Sequence, residues 1–166
     1  MRFLTITIPA AALALSACGS ESSGEFTTED GETGEYTIDQ ESGAASMTID
    51  TPDGEVSMRS GADVPLDLPA GFTLISGAKV LSNTVVDQAD GKGTIVSFTS
   101  DKAPEVIAEY YRKEAEAAGI DIQIETSING GKMLGGEGPS GTTFSVTAYP
   151  SDDGTTGQLL IGEGVG

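Results

Sequence analysis

The sequence predicts an α+β fold: a mostly antiparallel sheet with one covering helix, preceded by a short three-strand β meander. Three observations support this prediction. Short segments alternate apolar and polar residues along much of the chain, as half-buried strands do. Only residues 101–119 space their apolar side chains as a helix does. Asp-Gly, Asn-Gly and Pro-containing turns separate the strand-like segments.

The amino-terminal segment has the features of a secretory signal. Met1 and Arg2 precede an apolar stretch over residues 3–14, which is shorter than the roughly 20 apolar residues that a membrane-spanning helix needs. Small residues follow, and then comes Cys18, the only cysteine in the sequence. We therefore expect residues 1–17 to be a signal peptide.

The four residues at the predicted cleavage site, Leu15-Ser16-Ala17-Cys18, resemble the lipobox of bacterial lipoproteins. The resemblance implies cleavage between Ala17 and Cys18, a diacylglyceryl group on the Cys18 sulfur and an acyl chain such as palmitate on the new amino terminus. Gly and Ser follow the cysteine where Asp would favour the inner membrane, which implies the periplasmic face of the outer membrane. The alternative is an ordinary signal that leaves a free thiol, which would lack a disulfide partner in an oxidising compartment.

The residues after the lipobox are predicted to form a disordered tether. Residues 18–34 are the lipidated Cys18 and a stretch rich in Gly, Ser, Thr and acids, with no Lys or Arg. Such a composition cannot bury enough apolar surface to offset chain entropy. The whole chain has 8 basic and 26 acidic residues, a net charge of −18. This charge excludes nucleic acid as a partner, and it favours solubility and mutual repulsion. The alternative is binding of cations or of a basic partner.

A short repeat with an offset of eleven residues follows the predicted tether. Residues 35–60 contain "YTIDQESG", "MTIDTPDG" and "MRSG". Their alternation predicts three antiparallel strands with two different faces. One face carries Tyr36, Ile38, Met47, Ile49, Val56 and Met58, and the other carries Thr37, Asp39, Thr48, Asp50, Ser57 and Arg59. A β-solenoid is the alternative, but so few units do not make a stable one.

An extended connector leads into the main domain. Pro65 and Pro69 keep residues 61–70 out of a helix. Residues 71–166 are predicted to form a small α+β domain of order β-β-α-β-β-β, in which a helix begins near Pro104 and stops at Gly119. The residues that share one side of this helix are Val106, Ile107, Tyr110, Tyr111, Glu114 and Ala118. All of them except Glu114 are expected to cover the sheet.

Two quoted segments carry a second resemblance. "LPAGFTLISGAKV" and "TSDKAPEVIAEYYRKEAEAAGIDI", within residues 68–124, are similar to an uncharacterised domain of small bacterial envelope lipoproteins. The resemblance supports the fold and the location in the cell envelope, and it implies no active site.

A search for catalytic and metal-binding residues finds no candidate. Histidine is absent, which removes Ser-His-Asp and Cys-His pairs and most zinc sites. Ser76 and Lys79 match Ser-x-x-Lys, but that motif needs a helix start and two companion motifs that the sequence lacks. The acids around Asp50 and Asp87 are spaced wrongly for a calcium loop and fit Asp-Gly turns better. Four aromatic residues are expected in the core rather than on a ligand platform: Phe98, Tyr110, Tyr111 and Phe144. We therefore predict no catalytic residue, no metal site and no cofactor.

Three hypotheses for function follow. The favoured one is a non-enzymatic, lipid-anchored binding or accessory module of the cell envelope. It is held to the membrane by acyl chains on Cys18 and contacts an envelope protein. An exposed apolar patch on the sheet face away from the helix would support it. The second is a cation- or glycan-binding surface protein, and the third is a hydrolase that uses carboxylates.

Overall fold

A computed structural model describes residues 21–29 and 31–164 of the chain. Within these residues the protein is one ten-stranded sheet with one α-helix and two short 3-10 turns. The helix, α1, spans Pro104–Ala117, and the 3-10 turns span Pro69–Gly71 and Pro139–Gly141. The strands are β1 (Glu21–Thr27), β2 (Thr33–Asp39), β3 (Ala45–Thr51), β4 (Gly54–Gly61), β5 (Lys79–Gln88), β6 (Gly91–Ser100), β7 (Asp121–Ile128), β8 (Gly131–Glu137), β9 (Thr143–Ser151) and β10 (Gly154–Glu163).

The strands lie in the order β1-β2-β3-β4-β5-β6-β10-β9-β8-β7, and every neighbouring pair is antiparallel. The first six strands form a continuous meander. The last four run back from the far edge, because α1 carries the chain from β6 to β7 and each later strand adds on the inner side. β1 and β7 are therefore the two edges of the sheet.

The predicted fold class is wrong. The predicted α+β domain and the meander that precedes it form a single large, mainly β sheet. β4 pairs with β5 from Ser57↔Asp87 to Gly61↔Asn83, which joins the meander to the main sheet without a break. Four strands rather than three follow the helix. Counting strands by local alternation could not show this, since sheet continuity depends on pairing between distant segments.

The structure also differs from the predicted tether. Within residues 18–34, Glu21–Thr27 form β1, which pairs along its whole length with β2. The composition of this segment is typical of disorder, but its pairing partner supplies the backbone hydrogen bonds. Glycine at two positions makes room for aromatic rings on the neighbouring strand.

The helix packs on one end of the sheet, against β7, β8 and β9. Pro104 takes its first turn, and Gly119 follows it in a left-handed conformation with φ of 75°. Its buried stripe is Pro104, Ile107, Ala108, Tyr111 and Ala115. Val106, predicted to cover the sheet, is instead 51% exposed.

The core lies between α1 and the sheet. Tyr111, Phe98 and Leu159 are fully buried in it, and the ring of Phe72 stacks on that of Phe144 at 5.3 Å between centroids. The other buried apolar residues of the cluster are Ile75, Val96, Ile107, Ala108, Ala115, Ile120, Leu134, Val146, Ala148 and Ile161. Side chains therefore fill the space between the helix and the sheet.

Candidate binding face

The antiparallel register divides the side chains of β1–β4 into two faces. Residues directly opposite each other on paired strands point to the same side, and neighbours along a strand alternate. Tyr36 pairs with Met47, Met47 with Met58, and Met58 with Val86 of β5. The two faces predicted for residues 35–60 are therefore confirmed.

The face opposite α1 has an apolar surface across β1–β6 and β10. We call this surface the uncharged face. It ends before Lys79, the first residue of β5, which is paired with Thr99 and therefore lies on the same side of the sheet beyond the border of this face. Leu160 is 37% exposed and Ile38 is 43% exposed, and the remaining large apolar members are half-buried. Its apolar members are Phe26, Tyr36, Ile38, Met47, Ile49, Val56, Met58, Val86, Ile95 and Leu160. An apolar patch on the sheet face away from the helix is the feature that would support the favoured hypothesis.

Charge is segregated between the two faces of β1–β4. Every charged residue of these four strands lies on the face continuous with the helix side: Glu21, Glu25, Glu35, Asp39, Asp50, Glu55 and Arg59. Glu25 stands directly opposite Glu35, and Asp50 directly opposite Glu55. Like charges directly opposite one another destabilise a strand pair. The acids are therefore crowded on one face of β1–β4, although the other face of these strands carries no charged residue.

Glycines and aromatic rings build the outer part of the uncharged face. Gly24 lies opposite Tyr36, and Gly34 lies opposite Phe26, on β1 and β2. A Cβ on Gly24 would stand 2.8 Å from the Tyr36 ring, and one on Gly34 would stand 2.5 Å from the Phe26 ring. Each ring therefore covers a glycine backbone on the adjacent strand. This packing fixes the register of β1, a strand whose own composition is mostly polar.

The four aromatic residues predicted for the core lie at or beside it. Phe98, Tyr111 and Phe144 are buried, while Tyr110 is half-buried and makes an edge-on contact with Tyr111 at 5.0 Å. The backbone N–H of Ile75 donates to the Tyr111 hydroxyl at 3.3 Å. Burial raises the pKa of the Tyr111 hydroxyl well above its usual range.

A polar cluster at the edge of the helix explains the one acid on its apolar side. The backbone N–H of Thr73 donates to Glu114 Oε2 at 2.7 Å, and the Thr73 hydroxyl donates to Glu114 Oε1 at 2.9 Å. The Tyr110 hydroxyl also donates to Glu114 Oε1, at 3.1 Å. Sequence spacing marked Glu114 as an exception but could not supply Thr73, which is 41 residues away. The cluster ties the segment between the first 3-10 turn and β5 to α1.

The sequence-predicted lipid site lies outside the described residues. Leu15, Ser16, Ala17 and Cys18 all precede Glu21, the first residue that the structure describes. The residues of the Ser-x-x-Lys match and of the calcium-loop-like acids lie on the sheet or in its turns. Ser76 lies in the turn before β5 and Lys79 begins that strand, whereas Asp87 lies within it.

Local contacts lower the pKa of two acidic side chains. Backbone N–H groups of Ser42 and Glu41 donate to Asp39 Oδ1 at 3.0 and 2.8 Å, which lowers the pKa of that carboxyl. An ion pair with Lys92 lowers the pKa of Asp67. Both acids hold loops in place.

Within residues 21–29 and 31–164, no three acidic, His or Cys side chains are grouped so that they could hold a metal ion.

The comparisons with known proteins bear on the middle of the chain. Residues 80–155 match the model of the START domain-like family. The match runs from β5 into β10 and covers less than half of the chain, so it is a similarity of that segment. It is compatible with a binding module. No curated protein and no solved structure matches the chain.

The segment similar to the START domain-like family contains α1 and the strands under it. The strands β1–β4, which carry most of the uncharged face, lie outside that segment.

In the described part of the chain, α1 is not long or apolar enough to span a bilayer.

Proposed function

We propose that the chain is a non-enzymatic binding module of the cell envelope, anchored by lipid on Cys18, that contacts another envelope component through its uncharged face. The observation that carries this proposal is the segregation of charge on β1–β4. In a chain of net charge −18, four strands place seven charged residues on one face and none on the other. Solvent alone gives no reason for this arrangement, whereas an apolar contact does.

The anchor and the sheet support each other in this proposal. Glu21 begins β1 only three residues after Cys18, a distance of at most about 11 Å at 3.3–3.6 Å per residue. Acyl chains on Cys18 would hold the β1 edge close to the membrane. The β7 edge would then stand about 43 Å away, at nine strand spacings of about 4.8 Å. The sheet itself, rather than a flexible tether, would carry α1 away from the lipid headgroups of the outer membrane's periplasmic face.

The chemistry of the uncharged face favours binding over catalysis. Its side chains are apolar or carry only hydroxyl and amide groups, and Lys79 stands outside its border, so the face itself offers no acid or base to transfer a proton at neutral pH. An apolar face of this kind binds by burying surface.

A charge placed on each face of one strand tests the binding function. Ile38→Glu puts a carboxylate on the uncharged face at an already exposed position, and Thr37→Glu puts one on the opposite face of the same strand. The native size of the full chain is measured after mild detergent extraction of membranes. We expect Ile38→Glu to release the chain from its complex and Thr37→Glu to retain it. Equal behaviour of the two variants would contradict the proposal.

A second experiment tests the anchor separately. Cys18→Ser should leave an uncleaved precursor without lipid, seen as a larger band and as loss of labelling by a radioactive fatty acid. A Cys18→Ser chain that is processed normally and stays in the membrane fraction would refute the anchor without bearing on the uncharged face.

A further inference from the structure

We infer that the occupant of the uncharged face is a second copy of this chain, so that two sheets stack face to face in a two-fold dimer. The inference deepens the proposed function, since it names the partner of the same face. It rests on three observations: the chemistry of the face, its size and the position of the two membrane-proximal edges.

The chemistry of the face fits a like partner. Two chains of net charge −18 repel each other unless they meet where neither carries charge, and the uncharged face is such a surface. A basic partner would be drawn to the opposite face, where Glu25, Glu35, Asp50 and Glu55 are concentrated. An anionic lipid surface is recognised by clusters of Lys and Arg. Lys79, at the border of the uncharged face, is the only Lys or Arg of β1–β6 and β10 on that side of the sheet. Interfaces between identical subunits are more apolar than those of non-obligate complexes.

The size of the face matches that of a stable dimer. Seven strands give six spacings, or about 29 Å across, and seven residues along each strand give about 24 Å. The projected area is therefore about 700 Å², close to the roughly 800 Å² per partner of a stable interface. Two sheets that pack face to face lie about 10 Å apart, with side chains from both inner faces between them.

The geometry also suits two anchors in one membrane. A two-fold axis that runs between the two sheets from β1 towards β7 places both β1 edges at the same end. Both Cys18 residues would then reach the same bilayer. Along this axis, the row Tyr36, Met47, Met58 and Val86 faces its own counterpart in the second copy.

Cysteine crosslinking in membranes tests the dimer. Met47→Cys and Met58→Cys place a thiol on the central row, and Thr48→Cys and Ser57→Cys place one on the opposite face of the same strands. The full chain is treated in its own membranes with a bifunctional maleimide that spans about 10 Å, the spacing of stacked sheets. We expect the first two variants to give a product of twice the chain's mass, with a yield at least about tenfold above that of the two controls.

Three results would overturn the dimer. They are equal yields from both faces, no product from Met47→Cys and Met58→Cys, and products whose mass includes a different protein. The last result would leave the proposed binding function standing, with another occupant. The chain without an added cysteine reports on the anchor, because only an unacylated Cys18 would react.

Sedimentation equilibrium gives a second measurement without lipid. Residues 18–166 with Cys18→Ser retain every residue of the described core, which begins at Phe72. We expect this chain to be a dimer. Met58→Glu should raise the dissociation constant by at least about tenfold, because a charge would be buried in the contact, and Ser57→Glu should leave it unchanged. Circular dichroism checks that both variants keep the sheet. A monomeric parent chain would overturn the inference.

Discussion

The ring of Phe98 on β6 lies directly over Gly157 on β10, its partner in the register. A Cβ on Gly157 would overlap this ring, and the ring cannot move aside because Phe98 is fully buried against Tyr111. The pair sits where the meander of the first six strands joins the strands that return under α1. A glycine at this position is therefore required by packing.

Gly157→Ala is expected to lower the free energy of unfolding by about 1–3 kcal/mol, the usual effect of overpacking a core. Chemical denaturation monitored by circular dichroism measures it. Gly93→Ala is the matched control, since a Cβ on that strand glycine would meet no described atom within 4 Å, and its effect should stay within about 0.5 kcal/mol. Equal effects at the two sites would refute the role assigned to Phe98.

Asn83 holds the connector to the sheet. Its side chain is fully buried, and its Nδ2 donates to the carbonyls of Pro65 at 3.0 Å and Val64 at 3.4 Å. Asn83→Leu keeps a similar volume but leaves these carbonyls without a donor, which should cost about 1–3 kcal/mol.

Hydrogen exchange measures which segments of the chain lose stability in Asn83→Leu. Exchange at residues 62–68 should accelerate more than exchange in β9 and β10. Gln40→Leu, in the exposed turn after β2, is the control and should change neither. Uniform acceleration across the sheet in Asn83→Leu would contradict a local role.

Thr73 and Glu114 are predicted to stabilise the fold as a pair. Because the Thr73 hydroxyl donates to the Glu114 carboxylate, Thr73→Ala and Glu114→Ala remove the same hydrogen bond and their effects should not add. A double-mutant cycle should give a coupling of about 1 kcal/mol. Glu116→Ala, on the exposed side of α1, should show no coupling to Thr73→Ala. Strict additivity of the Thr73 and Glu114 substitutions would contradict the contact.

The raised pKa of the Tyr111 hydroxyl predicts a loss of stability at alkaline pH. Its pKa is raised in the folded protein, above the value of about 10 for an unfolded chain. The protonated hydroxyl is therefore favoured by folding. Its stabilising contribution is complete below about pH 10 and is lost as the pH rises from there towards the folded pKa.

The free energy of unfolding, measured at about pH 8 and about pH 11, on either side of the unfolded pKa, tests this dependence. We expect it to fall between the two, and Tyr111→Phe should show a smaller fall because it has no hydroxyl to ionise. The same fall in Tyr111→Phe and the parent chain would assign the effect to other groups.

Local signals in the sequence identified several elements for physical reasons. Pro104 and Gly119 bracket α1 because Pro fits a first helical turn and Gly takes a positive φ after the last one. The alternation about Tyr36 and Met47 revealed the two faces, since side-chain direction in a strand depends only on parity. Asn129 and Gly130 both take positive φ in the turn between β7 and β8, as an Asn-Gly turn does.

Features that depend on contacts between residues far apart in the sequence could not be predicted from these local signals. The strand β1 has a disorder-like composition, and its structure depends on Tyr36 and Phe26 facing glycines across the ladder. The continuity of the sheet depends on β4 pairing with β5. The extent of the uncharged face likewise follows from the register of seven strands, which alternation within one segment cannot supply.

Photo-crosslinking in intact cells from the two faces of β3 tests most directly whether the uncharged face is a binding surface. A photoreactive amino acid is placed at Met47, on the uncharged face, or at Thr48, on the opposite face. We expect a discrete covalent adduct from position 47 and none from position 48. An adduct from position 48 alone, equal adducts from both positions, or none from position 47 would contradict a binding role for this face.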